Sequence, residues 1–134
     1  MEKTRVLVID DVLTCRKVAS AMLQRLNCHV DCAANGKEAV ELLGRNCYNL
    51  LLLDWMMPYM NGAELTRLVR SGAVGVHHQQ VPIIAATADL FAAPRELCLQ
   101  AGVNEYLSKP LDYQRLTSLV AELTATRRWK QCGL

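Results

Sequence analysis

The chain has 134 residues, of which 51% are hydrophobic and 21% charged, a composition typical of one globular domain with a full apolar core. Its formal net charge of +2 excludes the strong field that would attract a nucleic acid or an acidic membrane surface. The apolar run near the N-terminus is too short for a secretory signal, and the uncharged stretch 71–88 is broken by polar residues and a proline. We therefore expect a cytoplasmic protein, or the cytoplasmic part of a larger one.

Strand-like and helix-like segments alternate along the whole chain. Short apolar runs predict strands at 5–9, 29–33, 49–53, 82–87 and 104–108. Each run is followed by a segment with helical spacing of its apolar residues, at 13–26, 36–44, 62–72, 95–102 and 113–129. Repeated strand–helix units predict a five-stranded parallel sheet with helices on both faces, in the α/β class. The unbroken leucines at 50–53 fit a central strand that is covered on both sides.

Capping signals mark several of these helix ends. Asn35, with Glu38 three residues later, resembles a capping box, and Asp112 is placed to cap the last helix. Gly72 and Gly102 are placed to end the third and fourth helices. In the first helix we expect a buried face made of Val18, Ala19, Met22, Leu23 and Leu26.

The segment 71–81 is the least regular part of the sequence. It contains two adjacent histidines, His77 and His78, which could bind a metal ion. Adjacent residues in a loop give no reliable convergence without a third ligand. We therefore interpret this segment as an ordinary mobile surface loop.

Polar residues follow four of the five predicted strands. Asp10 and Asp11 follow the first strand, Asp54 the third, Thr87 ends the fourth, and Lys109 follows the fifth. Because the carboxyl ends of parallel strands share one edge of the sheet, these side chains should gather there. An aspartate after a strand is often only a turn or cap residue, but the coincidence of all of them favours a site.

The residue types at this edge suit one kind of chemistry. Carboxylate oxygens without histidine or cysteine favour Mg²⁺ over zinc. A magnesium ion, a lysine and a hydroxyl are what phosphoryl transfer needs, and a carboxylate can itself accept the phosphoryl group. The "NGKEA" segment lacks the spacing and the hydroxyl of a phosphate-binding loop, so a nucleotide triphosphatase is disfavoured.

Four segments together carry a family resemblance: "VLVIDD", "LLLLDWMMPYMNG", "PIIAATA" and "AGVNEYLSKPL". In this order, across about residues 4–125, they resemble a response-regulator receiver domain, the phosphoacceptor module of two-component signalling and phosphorelays. The resemblance implies a flavodoxin-like, doubly wound sheet with strand order 2-1-3-4-5. It also implies a receiver domain at 1–125 and a tail or linker at 126–134.

The resemblance assigns the acids to phosphorylation and metal binding. Asp54 is similar to the phosphorylated aspartate of the family. Asp10 and Asp11 resemble the pair that holds Mg²⁺, Asp11 directly and Asp10 largely through water. The backbone carbonyl of Met56 would supply a further metal ligand.

The resemblance also implies a switch. Thr87 resembles the hydroxyl that turns towards the phosphoryl group, and Lys109 the lysine that pairs with its oxygens. Tyr106 stands where the family places a switching aromatic residue, unless it is simply a half-buried aromatic. A cis peptide bond at Lys109–Pro110 would direct the lysine into the site. Movement of the loops after the fourth and fifth strands would then alter the surface formed by 88–125.

The resemblance therefore implies a signalling protein that is not an enzyme acting on an outside metabolite. Its donor would be a histidine kinase or a histidine phosphotransfer protein, and it would act on a downstream protein through the 88–125 face. We expect no direct contact with nucleic acid or membrane. A pseudo-receiver that only binds proteins is one alternative. A Mg²⁺-dependent aspartyl-phosphate phosphohydrolase is another, although such enzymes usually carry an aspartate where Met56 stands. A stand-alone regulator and a receiver from a hybrid histidine kinase both remain open.

Overall fold

A computed structural model describes residues 3–125 of the chain as alternating strands and helices. The strands are β1 (Arg5–Ile9), β2 (His29–Ala33), β3 (Leu50–Asp54), β4 (Ile83–Thr87) and β5 (Glu105–Ser108). The helices are α1 (Leu13–Arg25), α2 (Gly36–Arg45), α3 (Gly62–Arg70), α4 (Arg95–Ala101) and α5 (Tyr113–Thr124). The predicted tail, and the predicted last helix beyond 125, lie outside the described residues. Within residues 3–125, no helix is both long enough and apolar enough to cross a membrane.

The five strands form one parallel sheet in the order β2-β1-β3-β4-β5. Side chains of β3 alternate between two separate cores: Leu50 and Leu52 pack with residues of α1 and α5, and Leu51 and Leu53 with residues of α2, α3 and α4. Both faces of the sheet are therefore covered, which explains why the central strands β3 and β4 are apolar at every position before their last residue. The predicted doubly wound α/β fold is confirmed.

Most predicted helix ends agree with the structure. The Asn35 side chain accepts a hydrogen bond from the Glu38 N–H, and Gly102 ends α4 with a φ of 117°. The prediction for Val18 was wrong, because its side chain is 50% exposed. The residues of α1 that are fully buried against the sheet are Ala19 and Leu23, and the helix turns Val18 away from them.

The prediction that 71–81 is an ordinary surface loop was wrong for part of the segment, since Val74, His78 and Val81 are buried. The segment contains a short 3-10 turn at Val76–His78, and the His78 side chain is completely buried. The Nε2 atom of His78 accepts a hydrogen bond from the Tyr48 N–H at 3.1 Å. His78 therefore attaches this segment to the start of β3, and its ring is a packing and hydrogen-bonding group.

Arg70, the last residue of α3, holds the same segment from the other side. Its Nη1 atom donates to the carbonyls of Gln79 and Val81 at 3.0 and 2.7 Å. Its Nε atom donates to the Gly102 carbonyl at 2.9 Å, and its Nη2 atom to Oδ1 of Asn104 at 2.8 Å. One guanidinium group thus connects α3, the 71–81 segment and the turn before β5.

We expect Arg70→Met to lower the free energy of unfolding by about 2 kcal/mol, because several backbone carbonyls lose a charged donor at once. Arg67→Met is the matched control: Arg67 lies on the same helix, is exposed, and should change stability by less than about 0.5 kcal/mol. Urea unfolding of both variants measures the difference. Equal midpoints for the two variants would contradict the connecting role of Arg70.

Candidate functional site

Asp54 is the last residue of β3, and the backbone around it is fixed on both sides. The Trp55 N–H donates to the Ala86 carbonyl of β4 at 2.9 Å, and the Trp55 carbonyl accepts from the Gly62 N–H at 3.0 Å. Trp55 also packs directly on Gly62, where an added Cβ would lie only 2.5 Å from its Cε3 atom. The loop that follows Asp54 is therefore closed tightly at both of its ends.

The acids that the sequence placed at this edge do meet. Asp10, Asp11 and Asp54 each offer a carboxylate oxygen, and these oxygens lie within 4.8 Å of one another. Asp10 and Asp54 are buried, whereas Asp11 is exposed. The Asp10 Oδ1 atom accepts a hydrogen bond from the Val12 N–H at 2.9 Å, which orients that carboxylate. Such a set of hard oxygen atoms fits Mg²⁺ better than zinc.

Lys109 enters the same cluster from the end of β5. Its Nζ atom lies 2.7 Å from Oδ2 of Asp10 and 3.6 Å from Oδ1 of Asp54. Burial opposes its charge, but the hydrogen bond to Asp10 and the charges of Asp54 and Asp10 outweigh burial and raise the pKa of Lys109. The peptide bond between Lys109 and Pro110 is cis. The lysine is therefore a fixed positive charge beside two of the three acids.

The ionised form of the Asp54 carboxyl group is destabilised by its surroundings. Burial first, and then the negative charge of Asp10, raise its pKa to about 6, although Lys109 acts in the opposite direction. One lysine does not balance three carboxylates. At neutral pH the cluster is thus an electrostatically unfavourable arrangement that a bound cation would relieve.

The two predicted switch residues are attached to the β4–α4 loop, 88–94. Thr87 is buried, and its Oγ1 atom accepts a hydrogen bond from the Asp89 N–H at 3.1 Å. Tyr106 donates its hydroxyl to the Ala93 carbonyl at 2.6 Å. Met56 is exposed, and its N–H donates to Oδ1 of Asp54 at 3.3 Å. The acids and Lys109 are therefore gathered, whereas the hydrogen bonds of Thr87 and Tyr106 are made to the loop beside them.

One residue at the site was missed from the sequence. The Nη1 atom of Arg16, in the first turns of α1, donates to the backbone carbonyl of Asp10 at 2.7 Å. A basic residue shortly after an acidic pair was the available signal. It was not specific enough, because basic residues near helix starts are common on protein surfaces.

Comparisons with known proteins identify the family. The model of the response regulator receiver domain matches residues 6–121, so the chain belongs to this family. Hybrid signal transduction histidine kinase M of Dictyostelium discoideum is 38% identical over 120 residues, which are 88% of this chain and 5% of that protein. The signal transduction histidine-protein kinase BarA of Escherichia coli K12 is 35% identical over 115 residues, or 86% of this chain and 12% of that protein.

A solved structure supports the same conclusion. The receiver domain of the sensor histidine kinase PA1611 from Pseudomonas aeruginosa PAO1 matches with a TM-score of 0.83 and 33% identity, covering 93% of this chain and 100% of that one. That domain was crystallised with a magnesium ion coordinated in its active site cleft. The resemblance found in the sequence is confirmed, and the chain is a receiver domain of two-component signalling. It spans only a small part of the curated kinases that it matches.

Proposed function

We propose that this receiver domain takes a phosphoryl group from a phosphohistidine onto Asp54, with Mg²⁺ bound at the acidic cluster. The observation that carries the proposal is the meeting of three carboxylates within 4.8 Å, with the Lys109 ammonium 2.7 Å from Asp10. A surface used only for protein binding gains nothing from such a repulsive arrangement, so a pseudo-receiver is disfavoured. The donor is a histidine kinase or a histidine phosphotransfer protein.

The transfer itself is a single substitution at phosphorus. An oxygen of Asp54 forms the new O–P bond while the N–P bond of the phosphohistidine breaks, and the imidazole nitrogen leaves. Lys109 stabilises the negative charge on the phosphoryl oxygens. Asp10, Asp11, Asp54 and the carbonyl of Met56 would hold the magnesium ion, which supplies further neutralising charge. The domain promotes its own phosphorylation and dephosphorylation, so it is a signalling phosphoacceptor rather than an enzyme for an outside substrate.

Phosphorylation then changes the surface on one side of the domain. A phosphoryl group adds up to about two negative charges and strong acceptor oxygens. The Thr87 hydroxyl binds this group after leaving the Asp89 N–H, which releases the 88–94 loop. Since Tyr106 is hydrogen-bonded to Ala93 in that loop, its packing changes too. The surface formed by 88–125 is where a downstream protein reads the change. The domain acts in the cytoplasm, without direct contact with nucleic acid or membrane.

Trp55 offers a direct test because it is buried next to Asp54. We would use a Trp129→Phe background, so that Trp55 is the only tryptophan, and add Mg²⁺ and then beryllofluoride, a mimic of the phosphoryl group. Saturable fluorescence changes are expected in both steps. Asp54→Asn, which removes one carboxylate oxygen with little change of shape, should abolish the second change and weaken the first.

Two outcomes would contradict the proposal. Fluorescence and calorimetry that both show no Mg²⁺ binding would leave a pseudo-receiver as the better interpretation. Mg²⁺ binding followed by no response to beryllofluoride, in either fluorescence or calorimetry, would keep the metal site and reject Asp54 as the phosphoacceptor.

A further inference from the structure

The acidic pair lies on a very short connection between β1 and α1. The N–H of Asp10 makes a last sheet-like hydrogen bond to the Ala33 carbonyl at 3.1 Å. After that point the chain leaves the sheet, and α1 begins at Leu13. The carbonyl of Asp10 belongs to the peptide group that joins the two acids. Its orientation therefore determines the orientation of that peptide group and the position of the Asp11 backbone.

Arg16 determines that direction from the helix side. Its guanidinium reaches back over one turn of α1 and donates to the Asp10 carbonyl at 2.7 Å. The contact is short and charge-assisted, which makes it stronger than a neutral hydrogen bond. The N-cap of α1 is Val12, which makes no side-chain cap hydrogen bond. The Arg16 contact and the bond from Val12 N–H to Asp10 Oδ1 are two side-chain links that hold this turn from the helix side.

Asp11 depends on this turn more than the other acids do. Asp54 is carried by a buried strand, and Asp10 is buried and bonded to both Val12 and Lys109. Asp11 is exposed and its side chain is within hydrogen-bonding reach of the Asp54 carboxyl group, so the backbone that precedes Asp11 determines whether its carboxylate reaches the other acids. A change in the Asp10–Asp11 peptide would move this carboxylate relative to the other two.

We propose that Arg16 is a positioning residue for the metal site: by binding the Asp10 carbonyl it sets the Asp10–Asp11 peptide and thereby aims Asp11 at the cation. This inference rests on the proposed function, because it concerns the same magnesium ion. Arg16 contacts neither the metal nor the phosphoryl group. It acts through the backbone that carries two of the acids, as outer contacts of metal sites commonly do.

Because Arg16 is positively charged, a positioning role and a purely electrostatic role predict opposite changes in Mg²⁺ affinity when it is replaced. A guanidinium close to the cluster repels a second cation, so removal of its charge alone would tighten Mg²⁺ binding. Loss of its positioning would weaken Mg²⁺ binding. The direction of the change in affinity therefore separates positioning from simple electrostatics.

The experiment compares Arg16→Met with Lys17→Met, both in the Trp129→Phe background. Lys17 is the exposed neighbour on α1, and its replacement removes the same charge. We expect Arg16→Met to raise the Mg²⁺ dissociation constant about tenfold, as measured by Trp55 fluorescence and by calorimetry. Lys17→Met should leave it unchanged or slightly lower. Thermal unfolding without Mg²⁺ establishes that each variant is folded at the assay temperature.

The outcomes are distinct. Mg²⁺ affinity in Arg16→Met that equals or exceeds the parent's would overturn the positioning role while leaving the proposed function intact. If Arg16→Met does not fold, Arg16→Ala, which likewise removes both the charge and the side-chain donor, decides by the same criterion. If the parent protein binds no Mg²⁺, the proposed function fails, and the role of Arg16 fails with it.

Discussion

Replacing Lys109 with methionine is expected to weaken beryllofluoride binding about 100-fold while Mg²⁺ binding stays at least as tight as in the parent protein. The lysine lies 2.7 Å from Asp10 and 3.6 Å from Asp54, so it occupies carboxylate oxygens that a metal ion also needs. Removing it frees those oxygens for the cation. The phosphoryl mimic, in contrast, loses a partly buried ammonium partner, and a lost charged hydrogen bond of about 3 kcal/mol corresponds to roughly two orders of magnitude.

The separation of the two affinities is the informative part of this result. Lys17→Met removes an equal charge from an exposed position of α1 and should alter neither affinity by more than about threefold, because exposed charges are well screened. Both ligands are followed through Trp55 in the Trp129→Phe background. Parallel weakening of Mg²⁺ and beryllofluoride would show that Lys109 supports the fold of the site rather than the charge of the phosphoryl group.

The sequence predicted the fold and the acidic cluster for the same physical reason. Apolar runs that alternate with helical periodicity predict parallel strands, and parallel strands bring their carboxyl ends to one edge. The contacts of Asp10, Asp54 and Lys109 follow from their positions at strand ends, once the strand order is known. The position of a residue at a strand end can be read from the sequence because a local run of apolar residues marks where the strand ends.

The contacts that the sequence did not reveal have another character. Arg16 binds the carbonyl of Asp10, Arg70 binds carbonyls of the 71–81 segment, and Thr87 accepts from the Asp89 N–H. Every residue except proline offers both a backbone donor and a backbone acceptor, so such partners leave no residue-specific pattern in the sequence. The prediction that Val18 is buried was wrong because helical spacing of apolar residues locates the edge of the buried face only to within about one residue.

The burial of His78 is another feature that depends on a contact with a backbone group, and it has a measurable consequence. Its Nε2 atom accepts from the Tyr48 N–H, and the Tyr48 hydroxyl in turn donates to Oδ2 of Asp31 on the edge strand β2 at 2.7 Å. The chain of contacts connects the 71–81 segment to β3 and β2. It requires a neutral His78, because a protonated ring nitrogen cannot accept a hydrogen bond.

We therefore expect His78 to make the fold sensitive to mild acid. Burial, and to a smaller degree the charge of His77, lower the pKa of His78 from 6.5 to about 4. Between these values the unfolded chain binds a proton that the folded chain excludes, so stability is lost as pH falls from 6.5 towards 4. The loss from this residue should approach about 3 kcal/mol, since one pKa unit corresponds to about 1.4 kcal/mol.

Asp54 acts in the opposite direction over nearly the same range and must be removed from the measurement. Its pKa is raised to about 6 from 3.8, so the folded state binds the extra proton and gains stability as pH falls between these values. The comparison is therefore made in an Asp54→Asn background with a metal chelator, by urea unfolding at pH values from 4 to 7. In that background the contribution of His78 is no longer masked by Asp54.

His78→Gln is the test variant, because its side-chain oxygen can accept from the Tyr48 N–H but cannot be protonated in this range. We expect it to be somewhat less stable than its parent at pH 7, and to lose about 3 kcal/mol less stability than its parent between pH 6.5 and 4. His77→Gln, an exposed neighbour, should retain most of the parent's pH dependence, because burial is the larger cause of the lowered pKa of His78. If His78→Gln followed the same pH profile as His77→Gln, His78 would not be held neutral by its buried position, and the acid sensitivity would have to originate in other groups.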